Sequence, residues 1–189
     1  MKHVRTGIVV LLFWTVVAGG LYPALVTGIG AVFFPAKARG SIVVHEGRLA
    51  GSELIAQDFA SSAYFHPRPS AVNYDASASG ASNFGYTSRA MKDAYEQRKI
   101  GWQRENGASE APMDMLFASG SGLDPHISPA AAELQVARVA AARRIPRAEV
   151  PRLLALVRRF EEGPQFGFLG EPRVNVLMLN LALDREFPR

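Results

Sequence analysis

The chain has 189 residues, no cysteine, and a formal charge of +4 from 21 Lys and Arg against 17 Asp and Glu. The lack of Cys excludes a disulfide framework, a thiolate metal centre and thiol redox chemistry. Lys2, Arg5, Lys37 and Arg39 flank one apolar segment; the rest carries 17 basic and 17 acidic residues, so no basic domain points to nucleic acid as a partner.

Residues 1–6 form a short basic tail, expected to stay in the cytoplasm. From Gly7 to Phe34 there are 28 residues without a charged side chain. As a helix this stretch reaches about 42 Å, against about 30 Å of bilayer hydrocarbon, so residues 7–34 are predicted to span a membrane once. A cleaved signal peptide ending near Ala18-Gly19-Gly20 is the alternative, opposed by the apolar run from Leu21 to Phe34. Gly19-Gly20 and Pro23 are expected to bend the helix. Gly20, Ala24 and Gly28 recur every fourth residue, a small-residue stripe suited to packing against another membrane helix, or a mere consequence of glycine being common in such helices. Basic residues tie at the two ends, and the short basic lead places the larger domain outside the cytoplasm.

Residues 35–39 are a juxtamembrane linker, and 40–189 are expected to form one soluble mixed α/β domain. Ser41 to Val44 and Arg48 to Ala50 flank the turn His45-Glu46-Gly47, a hairpin pattern. Ala60 to Tyr86 lacks periodicity and is rich in Ser, Ala, Asn, Gly and Pro, as functional surface loops are. Ser88 is expected to cap a polar, exposed helix to Glu105, and Asn106 to Pro112 to act as a linker. Met113 to Ala118 is a candidate strand entering the loop Ser119-Gly120-Ser121-Gly122. Ser128-Pro129 is a helix start. That helix is expected to run to Arg144, break at Ile145-Pro146, and be followed by another to about Glu162. Val174 to Asp184 is predicted as a buried helix, with a strand possible at this length.

The chemistry-bearing patterns are weak. Ser119 to Gly122 lacks the Gly-Lys-Ser/Thr of a phosphate loop, and its glycines also suit a plain turn. Ser121, Asp124 and His126 invite a hydrolase reading, but Gly-x-Ser-x-Gly is not met. His66 and His126 with Asp75 or Glu171 have no metal-ligand spacing. Seven Arg and one Glu between Leu134 and Phe160 read as a solvated face or a contact for an acidic partner. Tyr64, Phe65 and Arg68, on a turn between Pro67 and Pro69, have the composition of an interface anchor.

Longer motifs are more telling. They are Tyr22-Pro23 in the anchor, Gly51-Ser52-Glu53-Leu54-Ile55 with Gln57 and Phe59, and Tyr64-Phe65-His66-Pro67-Arg68-Pro69-Ser70. Tyr74-Asp75, Ala78-Ser79-Gly80 and Ser82-Asn83 follow, then the run from Ala118 to Pro129, then Gln135, Arg138-Val139-Ala140 and Gly170 to Leu177. Together they resemble the C subunit of the bacterial Kdp high-affinity potassium-transporting P-type ATPase. The chain departs at Gly80-Ala81-Ser82-Asn83 and Gly85-Tyr86, where family members often read Gly-Gly-Ser-Asn and Gly-Pro.

The resemblance implies a non-catalytic, single-span subunit of the bacterial inner membrane, needed for assembly of the pump. Implied partners are a channel-like potassium-translocating subunit, the catalytic P-type ATPase subunit, a small single-span subunit and membrane lipid. It also implies a catalytic-chaperone role that raises the ATPase subunit's affinity for ATP. Gln57, Ser119, Gly120, Ser121 and Gly122 then become the residues to suspect of nucleotide contact. Because ATP is cytoplasmic and the domain is placed outside, that effect is expected to be allosteric. An anchored extracytoplasmic hydrolase and a tethered small-molecule binding module are the competing classes.

Overall fold

The computed structural model describes residues 2–107 and 110–188, so part of the expected linker, 108–109, lies outside the described residues. The chain divides into two compact units with the boundary after Ile42.

The first unit is a helical rod: α1 (Lys2–Val16), a π-helical turn (Val17–Leu21) and α2 (Tyr22–Phe33). Together they form one helix of 32 residues, long and apolar enough to cross a membrane, and its most apolar stretch is not buried in the protein. It begins at Lys2 rather than Gly7, because helix formation does not require the apolarity that membrane insertion does. Thr6 and Thr15 turn their hydroxyls back onto the carbonyls of Lys2 and Leu11, at 3.1 and 2.8 Å, which hides polar groups from an apolar solvent. Where a bend is expected, the helix carries a π turn. Pro23 has no N–H for the carbonyl four residues back, and the π turn absorbs the mismatch, with Tyr22 N–H reaching Val17 O.

Phe34 leaves helical geometry, and Pro35 opens a one-turn helix, α3 (Pro35–Ala38). Gly40, at φ +83°, ends it: its N–H donates to Lys37 O at 3.0 Å and that of Ser41 to Ala36 O at 3.0 Å. This paired closure of a helix end needs a left-handed residue at Gly40.

β1 (Ile42–His45), whose first residue closes the first unit, and β2 (Arg48–Ser52) form the expected two-stranded sheet. Glu46 and Gly47 both have positive φ, 50° and 76°, as a tight hairpin turn requires. No helix or strand follows until α4 (Arg89–Asn106). Ser88 is extended before that helix, but its hydroxyl makes no capping bond, contrary to expectation. Nor is α4 wholly exposed, since Trp102 sits in the core.

The strand expected at Met113–Ala118 is instead a one-turn helix, α5 (Met113–Leu116). Met115 and Leu116 are buried in either geometry, and one helical turn points Asp114 at Ser128 N–H, 2.7 Å away. After β3 (His126–Ile127), α6 (Pro129–Ala142) starts where Ser128-Pro129 predicts, with Ser128 Oγ accepting from Ala131 N–H at 3.1 Å. It stops two residues short of Arg144. A 3₁₀ turn (Arg147–Glu149) leads into α7 (Val150–Arg159), and β4 (Glu161–Glu162) replaces its expected last turn.

The apolar run Val174–Asp184 divides between the two readings. Val174 belongs to β5 (Arg173–Asn175), and α8 (Val176–Glu186) begins after it. Asn175 makes the switch: its Oδ1 caps Met178 N–H at 3.1 Å. The sheet order is β3-β5-β4, all antiparallel, with Ile127 opposite Val174 and Glu161 opposite Val174 on the other side. Val139, Leu153, Leu156, Leu179 and Leu183 from α6, α7 and α8 pack around it to form the core.

Candidate functional site

The segment 62–70 carries no regular structure, yet Phe65 within it is completely buried. A buried backbone must find hydrogen-bond partners. Here side chains supply them. Asn180 of α8 accepts from Phe65 N–H and donates to Phe65 O, both at 2.9 Å. Gln135 of α6 does the same for His66, at 2.7 and 3.2 Å. Two buried amides thus imitate a neighbouring β-strand.

Two arginines complete the clamp. Arg138 donates to Ser62 O at 2.7 Å and Tyr64 O at 2.9 Å. Arg143 donates to Ala63 O at 2.7 Å and to Asp184 at 2.6 Å, with its guanidinium 4.9 Å from the centre of the Tyr64 ring. Every carbonyl from Ser62 to His66 is therefore held by a side chain. This corrects the reading of the arginine-rich stretch as a solvated face: the Arg143 side chain is 1% exposed and Arg138 is buried. Arg158 and Arg159 do lie outside, paired with Glu133 and Glu186.

Arg68 continues from the clamp to the run 118–129. Its guanidinium meets Asp124 at 2.9 Å, while Tyr74 donates its hydroxyl to Arg68 O at 2.9 Å. Burial first, and then the Asp58 carboxylate, push the Tyr74 phenol up to about 12, so it stays a donor. Burial opposes ionisation of Asp124, but hydrogen bonds from the His126 ring and N–H and from Arg68 outweigh it and hold the carboxyl below its ordinary range.

The glycine-rich loop is packed from both sides. Ser119 N–H donates to Pro69 O at 3.2 Å, Gly122 N–H to Ser119 O at 3.2 Å, and Leu123 N–H to Ser121 Oγ at 3.1 Å. Gly80 N–H reaches Ser121 O at 2.8 Å. At Gly122, φ is +69°, and a Cβ would lie 2.7 Å from Gly80 O and from a Val72 methyl. The glycine serves close packing. The N–H groups of Ser119 and Gly122, two of the four in the suspected nucleotide-contact loop, are thus already donated to carbonyl oxygens of the protein.

Gln57 lies beside this loop's far end, through Ala56 N–H donating to Leu123 O at 2.9 Å, and covers the face of Gly51. The residue before Gln57 thus meets the residue after Gly122, and Pro69, next to Arg68, meets Ser119. Phe65 presents no surface at all, and its expected place in a partner interface gives way to one in the core. Tyr64 is half-buried and donates to Asp184 at 2.9 Å. Gly20 falls in the π turn, whereas Ala24 and Gly28 line one shallow groove on α2 with Leu25, Ile29, Val32 and Phe33.

Two hollows flank the clamp. One of about 420 Å³ includes Asp58, Phe59, His66, Tyr74, Arg98 and Trp102 in its wall. Burial first, and the Arg138 cation second, lower the His66 imidazole below its usual value. The other, about 220 Å³, holds Arg68, Asp114, Asp124, His126, Glu171 and Arg173. Ser121 does not line it, so the serine and histidine of the hydrolase reading are not brought to one cavity; His126 meets Asp124, at 3.4 Å.

Gln135, Arg138, Arg143 and Asn180 are the residues whose role sequence reasoning missed. Their signal was present: Gln135, Arg138 and Asn180 are polar on helices otherwise rich in core residues, and Arg143 directly follows one.

The segments bound into this knot are the segments that carry the family likeness, and comparison with known proteins agrees. Residues 4–185 match the family described as "KdpC: K+-transporting ATPase, c chain". A potassium-transporting ATPase KdpC subunit of Nitratidesulfovibrio vulgaris (strain Miyazaki F) is 52% identical, covering 96% of this chain and 93% of its own. That of Methylococcus capsulatus (strain Bath) is 48% identical over 97% and 98%, and that of Rhodospirillum rubrum 46% over 100% and 98%. With nearly the whole length matched, and the matching motifs hydrogen-bonded to one another, the chain belongs to the KdpC family of potassium-transporting ATPase subunits.

Proposed function

We propose that this accessory subunit works as a rigid head outside the cytoplasm, tethered by its N-terminal helix in the bacterial inner membrane. The head caps the outer mouth of the channel-like potassium-translocating subunit. The helix packs through Gly20, Ala24 and Gly28 against the membrane helices of that subunit, the ATPase subunit or the small single-span subunit. An influence on ATP use is then transmitted through the assembled pump, by contacts that differ between its states. The observation that carries this reading is the clamp. The most recognisable motifs spend their side chains fastening backbone, which makes a fixed shape for partners rather than a poised reactive group.

The chain's lack of Cys makes topology directly testable. Ala148→Cys, on the exposed 3₁₀ turn, is expected to react with a membrane-impermeant maleimide in cells whose outer membrane alone is opened. Labelling only after the inner membrane is disrupted overturns the placement.

A further inference from the structure

The loop between β4 and β5 exposes its apolar side chains. Phe166 is 87% exposed, Phe168 75% and Leu169 49%. Single exposed apolar residues are ordinary; three within four positions at one tip are not. The tip is also built rather than slack. Gln165 and Leu169 exchange both backbone hydrogen bonds, at 2.8 and 2.9 Å, closing a miniature hairpin. Phe166 has φ +54° and Gly167 +81°. A bulky residue in the left-handed region is strained, and such strain clusters where a side chain must be presented.

The surroundings select the occupant. Glu161, Glu162 and Glu171 flank the loop, and the arginines beside them are committed to carboxylates: Arg173 to Glu162 at 2.9 Å, Arg68 to Asp124 at 2.9 Å, and Arg159 to Glu186. Loops that dip into bilayers pair their aromatics with Lys and Arg, because headgroups are anionic. An acidic collar repels that surface. It complements a protein pocket that is apolar at its centre and basic at its rim, the arrangement in which buried aromatic anchors dominate binding.

We infer that the Phe166–Leu169 tip is a preformed anchor that inserts into an apolar, Lys- or Arg-rimmed pocket on another subunit of the pump. This rests on the chain's membership of the multi-subunit ATPase and on the rigid-head reading. It adds which surface docks and what it meets.

The test uses the full chain produced with its complex. Phe168→p-benzoylphenylalanine, irradiated in membranes, is expected to give one dominant cross-link, mapped by mass spectrometry to a Lys- or Arg-containing peptide of a different subunit. In parallel, Phe166→Ser with Phe168→Ser is expected to lower retention of the chain in the purified pump by roughly tenfold or more, with thermal unfolding of the chain unchanged. Glu161→Lys with Glu171→Lys should lower it further in low salt than in high salt. Cross-links only to lipid, only to a second copy of this chain, or none from an intact pump overturn the proposal. A wild-type chain that fails to co-purify with pump subunits strikes the rigid-head reading itself.

Discussion

Two irregular segments of this domain each hold a phenylalanine, and they treat it in opposite ways. At 62–70 the backbone has no strand partner, so Gln135, Asn180, Arg138 and Arg143 reach across to satisfy it, and Phe65 is buried completely. At 163–170 the chain satisfies itself with the short Gln165–Leu169 pairing, needs nothing from the helices, and leaves Phe166 87% exposed. Irregular backbone can therefore be core or surface. What decides is where its polar groups find partners.

The largest effect that could break this contrast comes from the aromatic rings. Phe65→Ala is expected to cost about 3–5 kcal/mol in chemical unfolding, whereas Phe166→Ala should stay within about 0.5 kcal/mol of the parent. Similar costs at both sites would show that the two loops are not energetically different. Next in size is Asn180→Leu. It removes both partners of Phe65 at little change in volume, and stranding two buried backbone groups predicts a loss of about 2–4 kcal/mol. A near-neutral result would mean water can reach the clamp.

Glycines sharpen the same comparison at smaller scale. Gly122→Ala combines positive φ with a clash against Gly80 O, and should cost about 2 kcal/mol or more. Gly167→Ala shares the positive φ but meets nothing within 4 Å, so only about 1 kcal/mol is expected. Thermal melts of the two variants compare them directly.

The smallest effect is one of pH. Burial first, then Arg138, hold the folded His66 pKa below its ordinary 6.5, so the unfolded chain takes up the proton more readily. The stability this neutral imidazole contributes is complete above pH 6.5 and declines as pH falls below it. His66→Gln should flatten that decline between pH 7 and 5. An unchanged slope would show that the His66 environment does not contribute to it.

Local signals were legible wherever a few neighbouring residues decide the outcome. Ser128-Pro129 opens α6 because a hydroxyl cap and a preset φ act within one turn. Glu46-Gly47 makes a hairpin because the turn tolerates left-handed φ. Pro23 disturbs its helix because it lacks an N–H. By contrast, Met113–Ala118 was misread because a short apolar run looks alike as strand or helix, and its partner Asp114–Ser128 lies 14 positions away. Phe65, Arg138 and Arg143 were misread for the same reason: composition counts charges and rings without saying whether a distant carbonyl awaits them.

The apolar rod, the helix starts, the tight turns and the family motifs were thus determined by the sequence itself, since each depends on covalent geometry and the solvation of adjacent residues. That Arg138 and Arg143 turn inward, that Gly122 is squeezed against Gly80, and that Phe65 is hidden while Phe166 is displayed were decided only by the tertiary structure. Those outcomes depend on hydrogen-bond partners and excluded volume supplied by residues tens of positions distant, and only the folded chain brings them within reach.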